Sequence, residues 1–222
     1  VPGVGMTLHN NSILSCRTVD ADALTVGSTT TSYLAVNTLG SYTAVGSARW
    51  TNTEWIPAGA MKAPGTKPAT EVSHGALEEL AWQFADAVAG SEEKVSFKVR
   101  RQNRRDTTVD ATVSLYWSTT TTDPGDNTKK VYWRVGYRWF SPGEDTTVGA
   151  ETTVYSNPVA ATTAEGLVIT DVTISTPPSA TDKICFVQLT RMSSDALDTI
   201  ADTVELHAAK YLWTSYRHGL PL

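Results

Sequence analysis

Residues 131–140 read Val-Tyr-Trp-Arg-Val-Gly-Tyr-Arg-Trp-Phe, and the alternation within them decides the fold class. Large apolar side chains occupy every second position from Val131 to Trp139, with Tyr132, Arg134, Gly136 and Arg138 between them. A period of two indicates a β-strand with one buried face.

The same alternation recurs on both sides of this stretch, in residues 94–100 and 113–117. Further strands are predicted at residues 167–174, 184–191 and 204–216, and turn-forming Pro, Gly, Asn and Asp residues separate the segments. Regularly spaced short strands of this kind are typical of sandwiches. We therefore predict an all-β fold, an antiparallel β-sandwich or jelly roll with an extended N-terminal arm.

The first 53 residues differ in composition from the rest, being rich in Thr, Ser, Gly and Asn. Their apolar pieces are too short to enclose a core. We predict that residues 1–53 are an N-terminal arm or extension and that residues 54–222 form the sandwich domain. The alternative, a first pair of strands in the same sandwich, stays open.

Charge and hydropathy exclude two classes of partner. The net charge is −5, and the basic run at residues 100–105 is short and followed by Asp106 and Asp110, which predicts a solvated loop and no nucleic-acid binding. No apolar run approaches the roughly 18 residues of a membrane span. The opening Val1–Gly5 has no features of a signal peptide, so we expect neither membrane association nor export.

Few residue patterns indicate a metal or a disulfide. Cys16 and Cys185 both have apolar neighbours, which favours buried thiols, although a disulfide between them stays open. Without Cys-x-x-Cys or Cys/His ligand spacing, we predict no zinc site and no cofactor. Asp195, Asp198 and Asp202 invite a calcium interpretation, but their spacing lacks the EF-hand pattern, and a polar loop between strands is preferred.

No residue pattern in the sequence identifies a catalytic group. The adjacent pairs Glu78-Glu79 and Glu92-Glu93 would point to opposite faces of a strand. There is no Gly-x-Ser-x-Gly motif, and His207 is interpreted as a strand residue. We expect a protein that is not an enzyme.

Two motifs resemble a family of tailed-phage structural proteins. The first is Trp-Ile-Pro-Ala-Gly-Ala-Met at residues 55–61, and the second spans residues 191–206. The second has the form Arg-x-x-Ser-Asp-x-x-Asp-Thr followed by an Asp and a Leu, matched by Arg191, Ser194, Asp195, Asp198, Thr199, Asp202 and Leu206.

The resemblance implies a β-sandwich and a non-enzymatic role in a bacteriophage virion assembled in the host cytoplasm. We expect a capsid decoration or cement protein that binds and stabilises the outer capsid surface. The alternative is a tail-fibre or appendage component that binds a receptor or host carbohydrate. Partners would be phage capsid or tail proteins and further copies of this chain. A trimer is favoured because virion proteins of this kind usually lie at three-fold positions of the particle.

The resemblance also bears on residues 75–90, where two patterns compete. Leu77, Leu80 and Phe84 fall at helical spacing, which slightly favours a helix, whereas Leu80, Trp82 and Phe84 alternate as a strand. The family has a strand at this place, and we predict one here.

Two sets of residues are candidate sites. A structural loop is predicted around Arg191, Ser194, Asp195, Asp198 and Thr199, with Arg191 paired to a carboxylate and Ser194 or Asp195 bonded to backbone amides. Aromatic residues crowd two strands, and packing in the core is the first interpretation, an oligomer interface the second and a sugar platform the third. Because interfaces are enriched in such residues, the candidate interface includes Trp139, Phe140, Tyr211, Trp213 and Tyr216.

Overall fold

A computed structural model describes residues 23–28, 32–37, 42–45, 50–75, 78–100, 109–123, 128–146, 150–175 and 184–215. The described residues up to 45 belong to one compact unit, and those from 50 to 215 belong to a second. Among them, no helix is long and apolar enough to cross a lipid bilayer. Cys16, Tyr216 and residues 101–105 of the basic run lie outside the described residues.

The first unit contains a small antiparallel sheet. Its strands are β1 (Ala23–Ser28), β2 (Ser32–Asn37) and β3 (Tyr42–Val45), in the order β1-β2-β3. Consecutive strands pair with each other, Leu24 opposite Val36 and Leu34 opposite Ala44.

The second unit contains two main sheets. A four-stranded sheet has the order β11-β10-β14-β7, and a six-stranded sheet has the order β13-β8-β15-β6-β5 with β4 also paired to β15. The strands are β4 (Trp50–Pro57), β5 (Thr70–His74), β6 (Glu79–Phe84), β7 (Lys94–Arg100), β8 (Ala111–Thr119), β9 (Lys130–Val131), β10 (Trp133–Phe140), β11 (Thr152–Tyr155), β12 (Val159–Ala160), β13 (Val168–Ile174), β14 (Ile184–Arg191) and β15 (Val204–Ser215).

The 12-residue strand β15 organises the six-stranded sheet. Along one side it pairs with β8. Along the other side, its first residues pair with β6 and the rest pair with β4, so β4 and β6 lie end to end. The register with β8 shifts between Leu206 and Ala208, which leaves His207 as the extra residue of a β-bulge.

One hydrophobic core lies between the two sheets and includes residues of both. The rings of Phe84 and Trp133 meet across it edge to face, with centroids 5.1 Å apart. The buried indoles of Trp82 and Trp117 donate to Ala58 O (2.9 Å) and Thr170 Oγ1 (2.8 Å). The predicted all-β, antiparallel β-sandwich is confirmed.

The conflict over residues 75–90 is resolved in favour of a strand. β6 (Glu79–Phe84) pairs with β5 and β15, and it places Trp82 and Phe84 in the core. Leu77 lies outside the described residues, and the helical spacing of Leu80 and Phe84 is not realised because alternation on β6 buries one face of the strand. Cys185 is also fully buried, on β14.

Candidate functional site

Arg191 and Asp198 of the motif at 191–206 form a buried ion pair. Arg191 is 1% exposed, and its Nε and Nη2 donate to the two carboxylate oxygens of Asp198 at 3.1 and 2.8 Å. The same guanidinium donates to the backbone carbonyls of Phe84, Ile200 and Asp202. This cluster joins the end of β6 to the segment that leads into β15.

The rest of the motif bonds neighbouring segments. Asp195 Oδ1 accepts the amide of Leu197 (2.9 Å), and Thr199 Oγ1 accepts the amide of Lys130 (2.8 Å). Ser194 Oγ donates to Glu92, and this hydrogen bond lowers the pKa of the Glu92 carboxyl. These contacts are internal to the domain.

Asp202 is occupied in a similar way. Its carboxylate accepts hydrogen bonds from the hydroxyls of Thr120 and Thr121 and from the amide of Thr203. The bond from Thr120 is the largest cause of a lowered pKa at Asp202. Arginine, hydroxyls and amides thus accompany Asp198 and Asp202, and the calcium interpretation gains nothing from the geometry.

The predicted interface aromatics are mostly inside the fold. Tyr211 (1% exposed) and Trp213 (9%) belong to the core, where their rings stack with centroids 5.5 Å apart. Phe140 is 8% exposed and packs edge to face on Phe186. Trp139 is partly buried against the core. Packing within the chain accounts for these side chains, and their contact with another copy stays a prediction.

A different surface exposes aromatic and charged groups together. The side of the six-stranded sheet that points away from the core, here called the outer face, includes Trp55, Tyr116, Glu205, His207 and Lys210, and alternation also places His74, Gln83 and Ile169 on it. Strand pairing sets Trp55 beside Lys210. The face is continuous because β4 and β6 both flank β15.

At one end of the outer face, an exposed indole is supported by a second ring. Trp55 is 53% exposed, and its ring centroid lies 4.7 Å from that of Tyr116 with a tilt of 58°. Lys210 Nζ lies 5.6 Å from the Tyr116 centroid, within the range of a cation–π contact. Ile169, 52% exposed, extends the apolar surface on β13.

At the other end, two histidines and a glutamate converge. One ligand-type atom from each of His74, Glu205 and His207 lies within 4.8 Å of the other two. His74 Nδ1 is hydrogen-bonded to Glu205 Oε2, and the two imidazole rings meet edge to face with centroids 4.7 Å apart. The side chains of His74 and Glu205 are 27% and 20% exposed.

Neighbouring polar groups orient this cluster. Ser118 Oγ lies 2.8 Å from His207 Nε2, and Gln83 Nε2 donates to Glu205 Oε1 at 3.4 Å. Glu165 Oε2 lies 4.0 Å from His74 Nε2. Burial, followed by the charge of His74, lowers the pKa of His207, which favours its neutral imidazole.

The side chains of the cluster have the chemistry of a set of metal ligands. Ser118 is 1% exposed, so a substrate cannot reach its hydroxyl, although the Ser–His contact is short. Neutral imidazole nitrogens and a carboxylate are donors for divalent transition metals. This cluster was not predicted from sequence, although Glu205 and His207 are two residues apart in a predicted strand, and that spacing indicates a shared face.

Comparisons with known proteins give distant likenesses. No family model and no curated protein matches the chain. Latent PorU from Porphyromonas gingivalis is 7% identical, with a TM-score of 0.34, and its match covers 76% of this chain and 13% of PorU. The enzymatically active domain of tailspike protein 4 from bacteriophage CBA120 is 9% identical, with a TM-score of 0.35, and its match covers 71% of this chain and 19% of that chain.

A structure described as showing the promiscuous specificity of carbohydrate-binding modules from the β-sandwich superfamily is 11% identical, with a TM-score of 0.33 and coverage of 86% of this chain and 72% of that chain. This chain therefore spans a fifth or less of the length of PorU and of the tailspike domain. At these identities and scores, the likeness does not extend to what the chain binds.

Proposed function

We propose that this chain is a non-enzymatic binding module of a bacteriophage particle and that its outer face binds a carbohydrate. The observation that supports the carbohydrate is Trp55, an indole 53% exposed and braced by Tyr116. The resemblance of residues 55–61 and 191–206 to tailed-phage structural proteins supports the particle.

The chemistry of a sugar matches this surface. A pyranose ring has an apolar C–H face, which an exposed aromatic ring covers, and a rim of hydroxyls, which charged and polar side chains bind. Trp55 supplies the ring, and Lys210 lies beside it on β15 as a donor. The exposed Asp171, opposite Ser114 on β8, adds an acceptor on β13. Trp117 has no such role, because it is fully buried.

The test compares two equally exposed aromatic residues. The purified chain is screened on an array of bacterial surface polysaccharides, and each hit is titrated with wild type, Trp55→Ala and Tyr155→Ala. Tyr155 is 50% exposed and lies on β11 of the other sheet. We expect Trp55→Ala to weaken binding at least tenfold, about 1.4 kcal/mol, and Tyr155→Ala to leave it unchanged. Equal losses in both variants, or silence across the array, would refute the carbohydrate proposal.

A second candidate is a capsid decoration protein, and the division of the chain favours it. The described residues between 23 and 45 form a three-stranded sheet in a separate unit, which suits an anchor to a neighbouring protein. Deletion of residues 1–48 leaves β4 intact, because β4 begins at Trp50 and belongs to the second unit. The truncated chain is expected to keep its near-ultraviolet spectrum and to lose sedimentation with purified capsids. Undiminished co-sedimentation would contradict anchoring by this unit.

A further inference from the structure

We propose that His74, Glu205 and His207 bind one divalent first-row transition-metal ion, with zinc as the natural probe, where β5 and the first residues of β15 meet on the outer face. This inference does not rest on the proposed carbohydrate function. It begins with the composition of the cluster, two imidazoles and one carboxylate, which is a ligand set that zinc takes in proteins.

The distances suit a single ion. Zinc lies about 2.0–2.2 Å from nitrogen and oxygen ligands, so two atoms bound to one tetrahedral ion lie about 3.4 Å apart. The three donor atoms already lie within 4.8 Å of one another. Side-chain adjustments of roughly 1 to 1.5 Å therefore close the site, with the ion replacing the hydrogen bond between His74 and Glu205.

Two features of the backbone bring the three side chains together. Glu205 and His207 are two residues apart on β15, and His207 is the extra residue of the bulge, a feature that changes the direction of a side chain. His74 reaches them from β5, across β6. Ala81 lies on the outer side of β6, and its methyl group leaves room above the strand for side chains from β5 and β15.

Residues around the cluster also make the hydrogen bonds that usually hold metal ligands in position. Ligating histidines usually use their other ring nitrogen in a hydrogen bond that fixes the ring, and ligating carboxylates are hydrogen-bonded in turn. Ser118 makes this contact to His207, and Gln83 makes it to Glu205. Glu165, 4.0 Å from His74 Nε2, is the nearest additional carboxylate.

Bound at this place, the ion would join β5, at the edge of the six-stranded sheet, to β15 near its centre. Three protein ligands leave a tetrahedral ion with one open position on an accessible face. The site therefore offers both a cross-link within the sheet and a place for an oxygen of a bound molecule.

The experiment uses the full chain without a polyhistidine tag, freed of metal by a chelator and titrated with zinc chloride in a calorimeter. We expect saturable binding of one zinc per chain. His207→Gln and Glu205→Gln are each expected to weaken it at least tenfold. Two controls are expected to bind as wild type: Glu71→Gln, at an exposed position of β5, and the double variant His9→Gln/His218→Gln, which removes the other histidines.

A second measurement needs no variant. Cobalt(II) added to the metal-free wild type is expected to give visible absorption of a four- or five-coordinate ion with nitrogen ligands, which zinc then displaces. Absence of zinc binding and of this absorption at millimolar metal would overturn the proposal. Wild-type affinity in both His207→Gln and Glu205→Gln would overturn it as well, because the ion would then lie elsewhere. If His207→Gln and Glu205→Gln lose zinc binding but still bind sugar, the metal proposal and the carbohydrate proposal are independent.

Discussion

Replacing Asp198 with alanine tests whether the polar cluster around Arg191 stabilises the sandwich. Arg191 is almost fully buried, and Asp198 supplies the carboxylate that neutralises it through two hydrogen bonds of 3.1 and 2.8 Å. Asp198 Oδ2 also accepts the amide of Tyr132 at 3.1 Å. The substitution therefore leaves a buried cation without its counter-charge and a backbone amide without its acceptor.

The expected loss is large because the pair is buried. Removing one partner of a buried ion pair costs about 3–5 kcal/mol of unfolding free energy. For a chain of this length, the melting temperature falls by about 2–4 °C per kcal/mol, so we expect a decrease of about 6–20 °C. Thermal unfolding followed by circular dichroism gives the temperature, and urea titration gives the free energy.

A surface pair provides the matched control. Arg138 Nη2 lies 3.2 Å from Glu144 Oε1, and the Glu144 side chain is 37% exposed. Glu144→Ala is expected to cost about 1 kcal/mol or less, because exposed ion pairs are screened by solvent. A loss below about 1 kcal/mol for Asp198→Ala, or equal losses for the two variants, would refute the view that the buried pair stabilises the fold.

Two further predictions concern Glu54 and assembly. Burial raises the pKa of Glu54, whose Oε2 has no hydrogen-bond partner among the described residues, so folding stability falls as pH rises from 4.5 towards the raised pKa. Urea denaturation is expected to show Glu54→Gln more stable than wild type at pH 7 and equal to it below pH 4; equal stability at both would contradict this. Multi-angle light scattering at micromolar concentration is expected to show an oligomer, with a trimer favoured; a clean monomer would confine Tyr211 and Trp213 to a core role in solution.

The fold was predictable where alternation is local. Residues 131–140 show their buried parity directly, and residues 94–100 and 184–191 match the observed strands β7 and β14. Partner choice was not predictable, because nothing within β15 shows that one of its sides is shared between β4 and β6. That sharing depends on where two distant strands end.

The aromatic residues show a second limit. The crowding of Tyr211 and Trp213 on one strand was compatible with both a core and an interface, and the structure places both residues in the core, where β4 and β8 flank that part of β15. His74 and Glu205, in contrast, are 131 residues apart and meet only after β5, β6 and β15 pair. Sequence shows the parity of a side chain, whereas convergence is a property of the assembled sheet.

The position of β15 has a consequence for the order of folding. β4, β6 and β8 all hydrogen-bond to this strand, and Ala208 pairs with Pro57 across about 150 intervening residues. Until residues 204–215 have left the ribosome, the strands on either side of β15 have no common partner and expose their edges. Native pairings at such long sequence separation close slowly. We therefore expect the six-stranded sheet to assemble in one late step, during which the chain is most prone to aggregate.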